Sequence, residues 1–208
     1  MVIQYINCNT KNYSQAKCNP EYIAVHYTGN NNDTAKGNAT YFHNTVTKTS
    51  ANYFVDEISI FQSVPDFCTA YAIGCKTGYY HKYARNSNTI NIEMCNSVSA
   101  IPTKTKENTF YLVKMLMERY NIPIENVIRH YDVTHKLCPK PLVPEIAWSK
   151  FKQELQDYIK GDEKKMEVSE AKVILKNTAK LSDATIEWLS YYKYADSLFV
   201  KLAEAMKK

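Results

Sequence analysis

Short strand-like runs alternate with helical stretches from the start of the chain to about residue 160. Chains that alternate strands and helices in this way pack them as a central sheet covered by helices. The alternation therefore predicts an α/β fold, with a mixed central β-sheet flanked by helices. The predicted elements are strands at 22–27, 90–95 and 127–130, a hairpin at 53–61, and helices at 34–46, 105–120 and 145–159.

The C-terminal part of the chain has a different character. Residues 161–166, within the charged sequence KGDEKKME, include a glycine and one apolar side chain, which indicates a linker between a domain at 1–160 and a module at 167–208. Apolar residues recur at helical spacing through this module, which predicts a small all-α unit. Because about 40 residues are at the lower limit for independent folding, we expect the module to pack on the first domain or to self-associate.

Charge and hydropathy argue against several kinds of partner. The net charge is only +5 and the sequence has no dense Lys/Arg run, so nucleic acid is not expected as a ligand. No run approaches the roughly 18 apolar residues of a membrane-spanning helix, so membrane insertion is not expected either. The N-terminal sequence MVIQYINCNTKNY lacks the basic and apolar regions of a signal peptide, and we therefore expect synthesis in the cytoplasm.

The chain has six cysteines but no C-x-x-C pair. Disulfides are rare in cytoplasmic proteins, so most of these thiols are predicted to be small apolar or unreactive side chains. Cys138 is the exception, because it lies close to a histidine-containing segment. The five ordinary cysteines are Cys8, Cys18, Cys68, Cys75 and Cys95.

Three side chains have the chemistry of zinc ligands: His26 in YIAVHYT, His130 in VIRHYDVT and Cys138 in HKLCP. A catalytic zinc ion uses three protein ligands and keeps one position open for water, and both imidazole and thiolate suit it. Spacing alone does not establish a site, because His26 lies far from the other two and only the fold can bring them together. A lone histidine on a strand is more often an ordinary hydrogen-bonded residue.

Four segments occur in a characteristic order: IAVHYTG at 23–29, SANYFVDE at 50–57, NSNTINIEMC at 86–95 and RHYDVTHKLCP at 129–139. Together they resemble the type 2 N-acetylmuramoyl-L-alanine amidase family, which includes many phage endolysins and shares its fold with peptidoglycan recognition proteins. The resemblance covers roughly residues 20–160. It implies an enzyme that hydrolyses the amide bond between N-acetylmuramic acid and L-alanine in the peptidoglycan of a Gram-positive host.

The resemblance also implies that Zn²⁺ is bound by His26, His130 and Cys138. The chemistry of the reaction is consistent with this ligand set. Amide hydrolysis needs an activated water, a stabilised oxyanion and a proton for the leaving amine. Zinc supplies the first by lowering the pKa of its water ligand to about 7.

The resemblance implies working roles for three more residues, Glu93, Lys136 and Tyr53. Glu93 lies on the polar face of its predicted strand, where it could take a proton from water and pass it to the departing nitrogen. Lys136 lies two residues before Cys138 and would place positive charge where negative charge develops. Tyr53 begins a predicted strand and could donate a hydrogen bond or carry the proton in place of Glu93, and both alternatives stay open.

The chain departs from the family pattern at one place. Many relatives have a Trp-His pair before a glycine ahead of the strand with the glutamate, whereas this chain has YAIG at 71–74. The contribution of that missing imidazole to substrate binding is therefore in question. His81, in the insertion TGYYHKYARNSN, is a candidate for a replacement in the substrate groove.

Three polar residues close to these motifs are assigned other roles. His43 on the first predicted helix and His135 beside Lys136 do not match ligand positions, so both are predicted to be solvent-facing or packing histidines. Asp132 is a candidate to orient a ligand imidazole through a hydrogen bond.

The sequence LSDATIEWLSYYKYADSLFVKLAEAM is similar to short C-terminal helical modules of some clostridial phage endolysins. This second resemblance implies a clostridial-type host and a module that binds the host wall, because aromatic rings with a polar group can stack on sugars. The alternative is that the aromatic side chains form the core of the module or a homodimer contact. The candidates are Trp188, Tyr191, Tyr192 and Tyr194.

The favoured function is that of an endolysin, made in the host cytoplasm and acting on the cell wall after release. A bacterial autolysin or a recycling amidase would use the same site. A non-catalytic peptidoglycan receptor is an alternative of another class, although the presence of Cys138 argues against it. A structural zinc site and a cysteine-nucleophile enzyme are the remaining alternatives.

Overall fold

The computed structural model describes residues 2–76 and 78–206. Four residues lie outside the described residues. They are Thr77, in the TGYYHKYARNSN insertion, and the terminal residues Met1, Lys207 and Lys208 of the two predicted domains. The chain divides into two compact units, unit 1 at Met1–Phe151 and unit 2 at Lys152–Lys208.

Unit 1 is built on a six-stranded mixed sheet with the strand order β1-β5-β4-β7-β3-β8. Strands β4 and β5 pair antiparallel, and the other neighbouring strands pair parallel. Strands β2 and β6 form a separate antiparallel pair. These pairings confirm the predicted mixed sheet and the hairpin. The strands are β1 Ile3–Tyr5, β2 Tyr13–Lys17, β3 Tyr22–Tyr27, β4 Tyr53–Val55, β5 Ile60–Gln62, β6 Cys68–Ala70, β7 Thr89–Met94 and β8 Val127–Arg129.

Helices cover both faces of this sheet, as the α/β pattern predicts. Helix α1, Ala35–Asn44, begins where the Thr34 side chain accepts a hydrogen bond from the backbone N–H of Gly37. Helix α2, Thr103–Tyr120, ends at Asn121, which adopts a left-handed conformation with φ of 53°. A third helix, α3, His130–Thr134, is a single short turn that starts directly after β8.

The strand register assigns side chains to the two faces. His26 on β3 and Phe54 on β4 are both directly opposite Glu93 on β7. Directly opposite residues in neighbouring strands point to the same side of a sheet, so these three side chains share one face. Ala39 of α1 packs on this face beside Phe54, whereas α2 contacts strands β4 and β7 in unit 1.

Most predicted element boundaries differ from the structure by one or two residues, and two differences change the assignment of a segment. His130 was predicted to end a strand but begins α3, because the Asp132 carboxylate accepts the Arg129 backbone N–H and caps a helical turn. The predicted linker at 161–166 is helical and lies within α4, Glu145–Thr178. Glutamate and lysine favour helices, and one glycine costs only about 1 kcal/mol relative to alanine.

Unit 2 contains the end of α4 together with α5, Asp183–Ser190, and α6, Ala195–Met206. Ser182 caps α5, since its side chain accepts a hydrogen bond from the Thr185 N–H. A buried apolar cluster that includes Leu175, Ile186 and Phe199 joins the three helices. In the described part of the chain, no helix is both long enough and apolar enough to cross a membrane.

The four aromatic side chains that are candidates for sugar stacking are on the surface of unit 2. Their relative exposures are between 56% and 81%, whereas Phe199 is fully buried. The alternative that they form the core of the module is therefore wrong. The exposed residues are Trp188, Tyr191, Tyr192 and Tyr194.

Candidate metal and catalytic site

The structure brings together the three side chains with zinc-ligand chemistry. His26, His130 and Cys138 are each 3% exposed or less. One ligand atom from each of them lies within 4.8 Å of the other two. This is close enough for all three to contact a common metal ion.

The parallel pairing of β3 with β8 brings the two histidines close. Val25 is directly opposite Arg129, so His26 and His130 are the next residues at the same end of neighbouring strands. Their ring centroids are 4.8 Å apart. The loop with Cys138 is held beside them because the Cys138 carbonyl accepts a hydrogen bond from the Tyr131 N–H at 2.8 Å.

The hydrogen bonds of the histidines fit a metal ion. His26 Nε2 lies 3.0 Å from Asn91 Oδ1, and because the amide oxygen can only accept, Nε2 carries the proton. Its other nitrogen, Nδ1, is then free of hydrogen and lies 3.7 Å from Cys138 Sγ. His130 Nδ1 is buried without a hydrogen-bond partner among the described residues, a costly state that a metal ion would relieve. Two imidazoles and one thiolate suit zinc.

Burial sets the protonation of these ligands. Burial and the neighbouring His130 hold the pKa of His26 well below its usual value, and burial together with Lys136 lowers the pKa of His130 to about 4. Both rings are therefore neutral at pH 7, the form that binds metals. Burial and the nearby Glu93 raise the pKa of the Cys138 thiol to about 12. Without a metal ion, this side chain is therefore a neutral thiol.

Glu93 lies beside the three ligands. Its Oε1 is 3.9 Å from His26 Nδ1, and its Oε2 is buried without a hydrogen-bond partner among the described residues. Burial raises the pKa of Glu93 to about 7, with a further increase from Asp33 and an opposing effect from Lys136. A carboxyl group with a pKa near neutrality can both accept and donate a proton at physiological pH.

A cavity of about 170 Å³ opens onto this cluster. Its polar side is formed by His26, Glu93 and Lys136, so the structure also brings Lys136 to the site. The remaining wall is mostly apolar. Two of the chain segments that form it are joined by a hydrogen bond from the Tyr71 N–H to the Ser50 hydroxyl. This wall is lined by Phe42, Thr49, Ser50, Ala51, Phe54, Tyr71 and Ala72.

A family model described as N-acetylmuramoyl-L-alanine amidase matches residues 16–141, a range that contains the ligands, Glu93 and the cavity wall. The chain belongs to the N-acetylmuramoyl-L-alanine amidase family. The predicted family resemblance is thereby confirmed.

Curated members of the amidase family match the chain over part of their length. The N-acetylmuramoyl-L-alanine amidase CwlL of Bacillus licheniformis is 33% identical over 130 residues, which is 58% of this chain and 36% of that protein. CwlH of Bacillus subtilis is 31% identical over 150 residues, 70% of this chain and 55% of that protein. The chain thus spans between about a third and just over half of the length of these relatives.

Several solved structures match the fold. PlyL is 30% identical with a TM-score of 0.66, and the match covers 74% of this chain and 97% of that one. The catalytic domain of XlyA is 29% identical with the same TM-score, and the match covers 74% and 99%. The amidase LysC from Clostridium intestinale has a TM-score of 0.54 at 19% identity, which shows a shared fold and does not test the predicted clostridial-type host.

The structure does not bring Tyr53 to this site. Tyr53 is directly opposite Ile92, one position before the Phe54 and Glu93 pair, so its side chain points to the other face of the sheet. Its hydroxyl accepts a hydrogen bond from Gln62 Nε2 at 3.0 Å and lies beside Asp66. Tyr53 therefore has a buried structural position, and we assign it no part in proton transfer.

Two other candidates contact different groups from those predicted. The Asp132 carboxylate binds the Arg129 guanidinium and not a ligand imidazole. His81 Nδ1 accepts backbone hydrogen bonds from Tyr83 and Ala84, so its ring orders its own loop and is not among the residues that line the cavity.

The two remaining histidines also lie outside the ligand group. His43 Nδ1 is 2.6 Å from the Asn7 carbonyl oxygen. The His135 ring stacks on Tyr80, with 3.5 Å between the ring centroids. Both are exposed.

Sequence reasoning missed Asn91, which orients the His26 ring. The signal was present, because Asn91 alternates with Glu93 on the polar face of a strand that is otherwise apolar. A fully buried amide at such a position needs polar partners, and Asn91 has them in His26 and in the backbone carbonyl of Thr89.

We predict that the metal-free protein loses stability as the pH falls from about 6.5 to 4. The pKa of His130 is lowered to about 4 in the folded state and returns to about 6.5 on unfolding, so in this window the unfolded chain binds a proton that the folded chain does not. The loss from this residue amounts to about 3 kcal/mol. Urea unfolding of chelator-treated protein, followed by circular dichroism, measures it.

The variant His130→Gln should show a flatter pH profile, because it removes one of the buried groups that resist protonation. His43→Gln is the matched control on an exposed histidine and should keep the profile of the unmodified protein. An unchanged profile for His130→Gln would contradict the prediction.

Proposed function

We propose that the protein is a zinc-dependent N-acetylmuramoyl-L-alanine amidase that hydrolyses the bond between N-acetylmuramic acid and L-alanine, and that it acts as a phage endolysin on Gram-positive walls. One observation carries the proposal: the three ligand atoms lie within 4.8 Å of one another beside the buried carboxylate of Glu93. The amidase names of CwlL and CwlH support the choice of bond.

His26, His130 and Cys138 would hold the zinc ion. Zinc with three protein ligands supplies Lewis-acid chemistry, because it polarises a carbonyl group and lowers the pKa of water. Asn91 keeps the His26 proton on Nε2, so Nδ1 remains available as a donor atom. The orphaned Nδ1 of His130 supports a metal ion at this position.

Glu93 acts as the proton carrier. Its carboxylate takes a proton from the attacking water and delivers it to the leaving L-alanine nitrogen, which restores the carboxylate. Both steps are accessible because burial places its pKa at about 7. Its exposed fraction of 23% faces the cavity, where a substrate amide can reach it.

Lys136 stabilises negative charge that develops on the carbonyl oxygen. Lys136 lines the same cavity, and its charge lowers the pKa of Glu93 and of His130. A positive charge placed beside a developing oxyanion lowers the energy of the transition state.

Unit 2 binds the wall of the host in this proposal. The four exposed rings at Trp188, Tyr191, Tyr192 and Tyr194 offer flat apolar faces, and each ring has a polar group, which are the features that sugars need. Self-association through the same rings is the competing role. A clostridial-type host remains a prediction from the sequence of this module.

The direct test combines purified protein with Gram-positive cell walls. We expect the walls to dissolve with release of new L-alanine amino termini, activity to disappear after treatment with a chelator, and activity to return with stoichiometric zinc. Binding without new amino termini would indicate a receptor. Activity that survives chelation and is lost to an alkylating agent would indicate a thiol enzyme. Either result would overturn the proposal.

We predict that Glu93→Gln retains zinc and loses at least about 100-fold in kcat, because general acid–base catalysis typically contributes 10²- to 10⁴-fold. Zinc content is measured by elemental analysis and turnover by amino-terminus release from walls. Glu57→Gln, on an exposed carboxylate in the turn between β4 and β5, is the matched control and should keep full activity. A near-normal rate for Glu93→Gln would remove this residue from the mechanism.

We predict that the double variant Trp188→Ala and Tyr191→Ala sediments several-fold less with intact walls but keeps its zinc content. Both side chains are more than 70% exposed, so their loss should not unfold the unit. Val173→Ala, on an aliphatic residue with 54% exposure in the same unit, is the control. Unchanged wall binding together with loss of a dimer in analytical ultracentrifugation would assign the rings to self-association.

A further inference from the structure

Arg129 lies directly before the ligand His130 but points away from the cavity. It is directly opposite Val25, and His26 is the next residue on β3, so the Arg129 side chain is on the face opposite to the His26 ring. The residue is only 5% exposed. Any effect of the guanidinium on the site is therefore indirect.

Every N–H group of this guanidinium has an acceptor. Nε donates to Asp132 Oδ1 at 3.0 Å, and Nη2 donates to the same carboxylate at 2.7 Å and to Glu145 Oε2 at 3.0 Å. Nη1 donates to the carbonyl oxygens of Leu142 and Val143, each at 3.0 Å. Arginine has five such hydrogens, and this arrangement uses all of them.

The acceptors belong to the two chain segments that carry metal ligands. Asp132 is in α3, which begins with His130, whereas residues 142–145 follow shortly after Cys138. A second connection lies closer to the ligands, where the Tyr131 N–H donates to the Cys138 carbonyl. The two segments are therefore connected twice: beside the ligands by the backbone hydrogen bond, and farther from the ligands by the guanidinium.

Aromatic packing holds the guanidinium in place. It lies over the Trp148 ring, 5.1 Å from the centroid, and Trp148 stacks on Phe151 at 5.3 Å. Phe151 in turn contacts Phe110 of α2, with 5.0 Å between the ring centroids. These contacts are all in unit 1, and they pack the Arg129 side chain against a group of aromatic residues that reaches α2.

We infer that Arg129 is a positioning residue for the metal site, which holds the segment after Cys138 against the helix that begins with His130, so that thiol and imidazole are ordered before a metal ion arrives. The inference rests on the proposed zinc-dependent function. Without the guanidinium, this segment would become ordered only when zinc binds. The free-energy cost of ordering it would then weaken zinc binding. Loss of such supporting partners typically weakens metal binding by 10- to 100-fold.

The decisive variant is Arg129→Lys, which keeps the charge but cannot form the planar, five-donor contacts. Asp132→Asn is a second, isosteric variant that removes the charge facing the guanidinium. Zinc affinity is measured on the full chain by competition with a chromophoric chelator, and ligand geometry by the absorption spectrum of the cobalt-substituted protein. Arg119→Lys is the matched control, because Arg119 also pairs with a buried carboxylate, that of Asp66, and its side-chain hydrogen bonds in the described part of the chain are to Asp66 and Met115, outside the ligand-bearing segments.

We expect Arg129→Lys to raise the dissociation constant for zinc by about 10- to 100-fold and to alter the cobalt spectrum, with a smaller change in the same direction for Asp132→Asn. Arg119→Lys should leave both unchanged. The inference is overturned if both test variants bind zinc within twofold of the unmodified protein, even if their thermal stability is lower. If the unmodified protein itself fails to bind zinc, the proposed function fails instead.

Discussion

The parallel pairing of β3 with β7 and β8 is the constraint on which the rest of the site depends. Side by side and in register, these strands end at the same edge of the sheet, and residues at their ends then lie within a few ångströms of each other. His26 thereby lies beside Glu93 on one side and beside His130 on the other. The loop with Cys138 completes the group through a backbone hydrogen bond to α3.

Burial at that edge has opposite effects on the two kinds of acid–base group. It keeps both imidazoles uncharged, so they are ready to bind a cation, and it raises the pKa of Glu93 to about 7, so that this carboxyl group can exchange protons at neutral pH. Lys136 moderates the second effect without cancelling it. A single physical cause, the exclusion of water, thus suits the ligands to metal binding and the carboxylate to proton transfer.

Much of the fold, and the three side chains that the structure brings together as candidate ligands, could be predicted from the sequence, because both follow from short local patterns. The strand YIAVHY and the helix ending near Tyr120 are visible in their periodicity, and the family segments point to the ligands. Residue roles that depend on register could not be predicted. Tyr53 is next to Phe54 in the chain, yet this single step puts its hydroxyl on the opposite face of the sheet from Glu93. The predicted linker was misjudged because its charged residues are also good helix formers.

The neutral thiol of Cys138 couples metal uptake to acidity. With a pKa of about 12, this side chain holds its hydrogen at neutral pH and must give it up when it becomes a thiolate ligand. If zinc binds as proposed, each ion taken up would therefore release one hydrogen ion. The apparent affinity of the proposed site for zinc would then rise about tenfold for each pH unit, over the range in which the imidazoles are already uncharged.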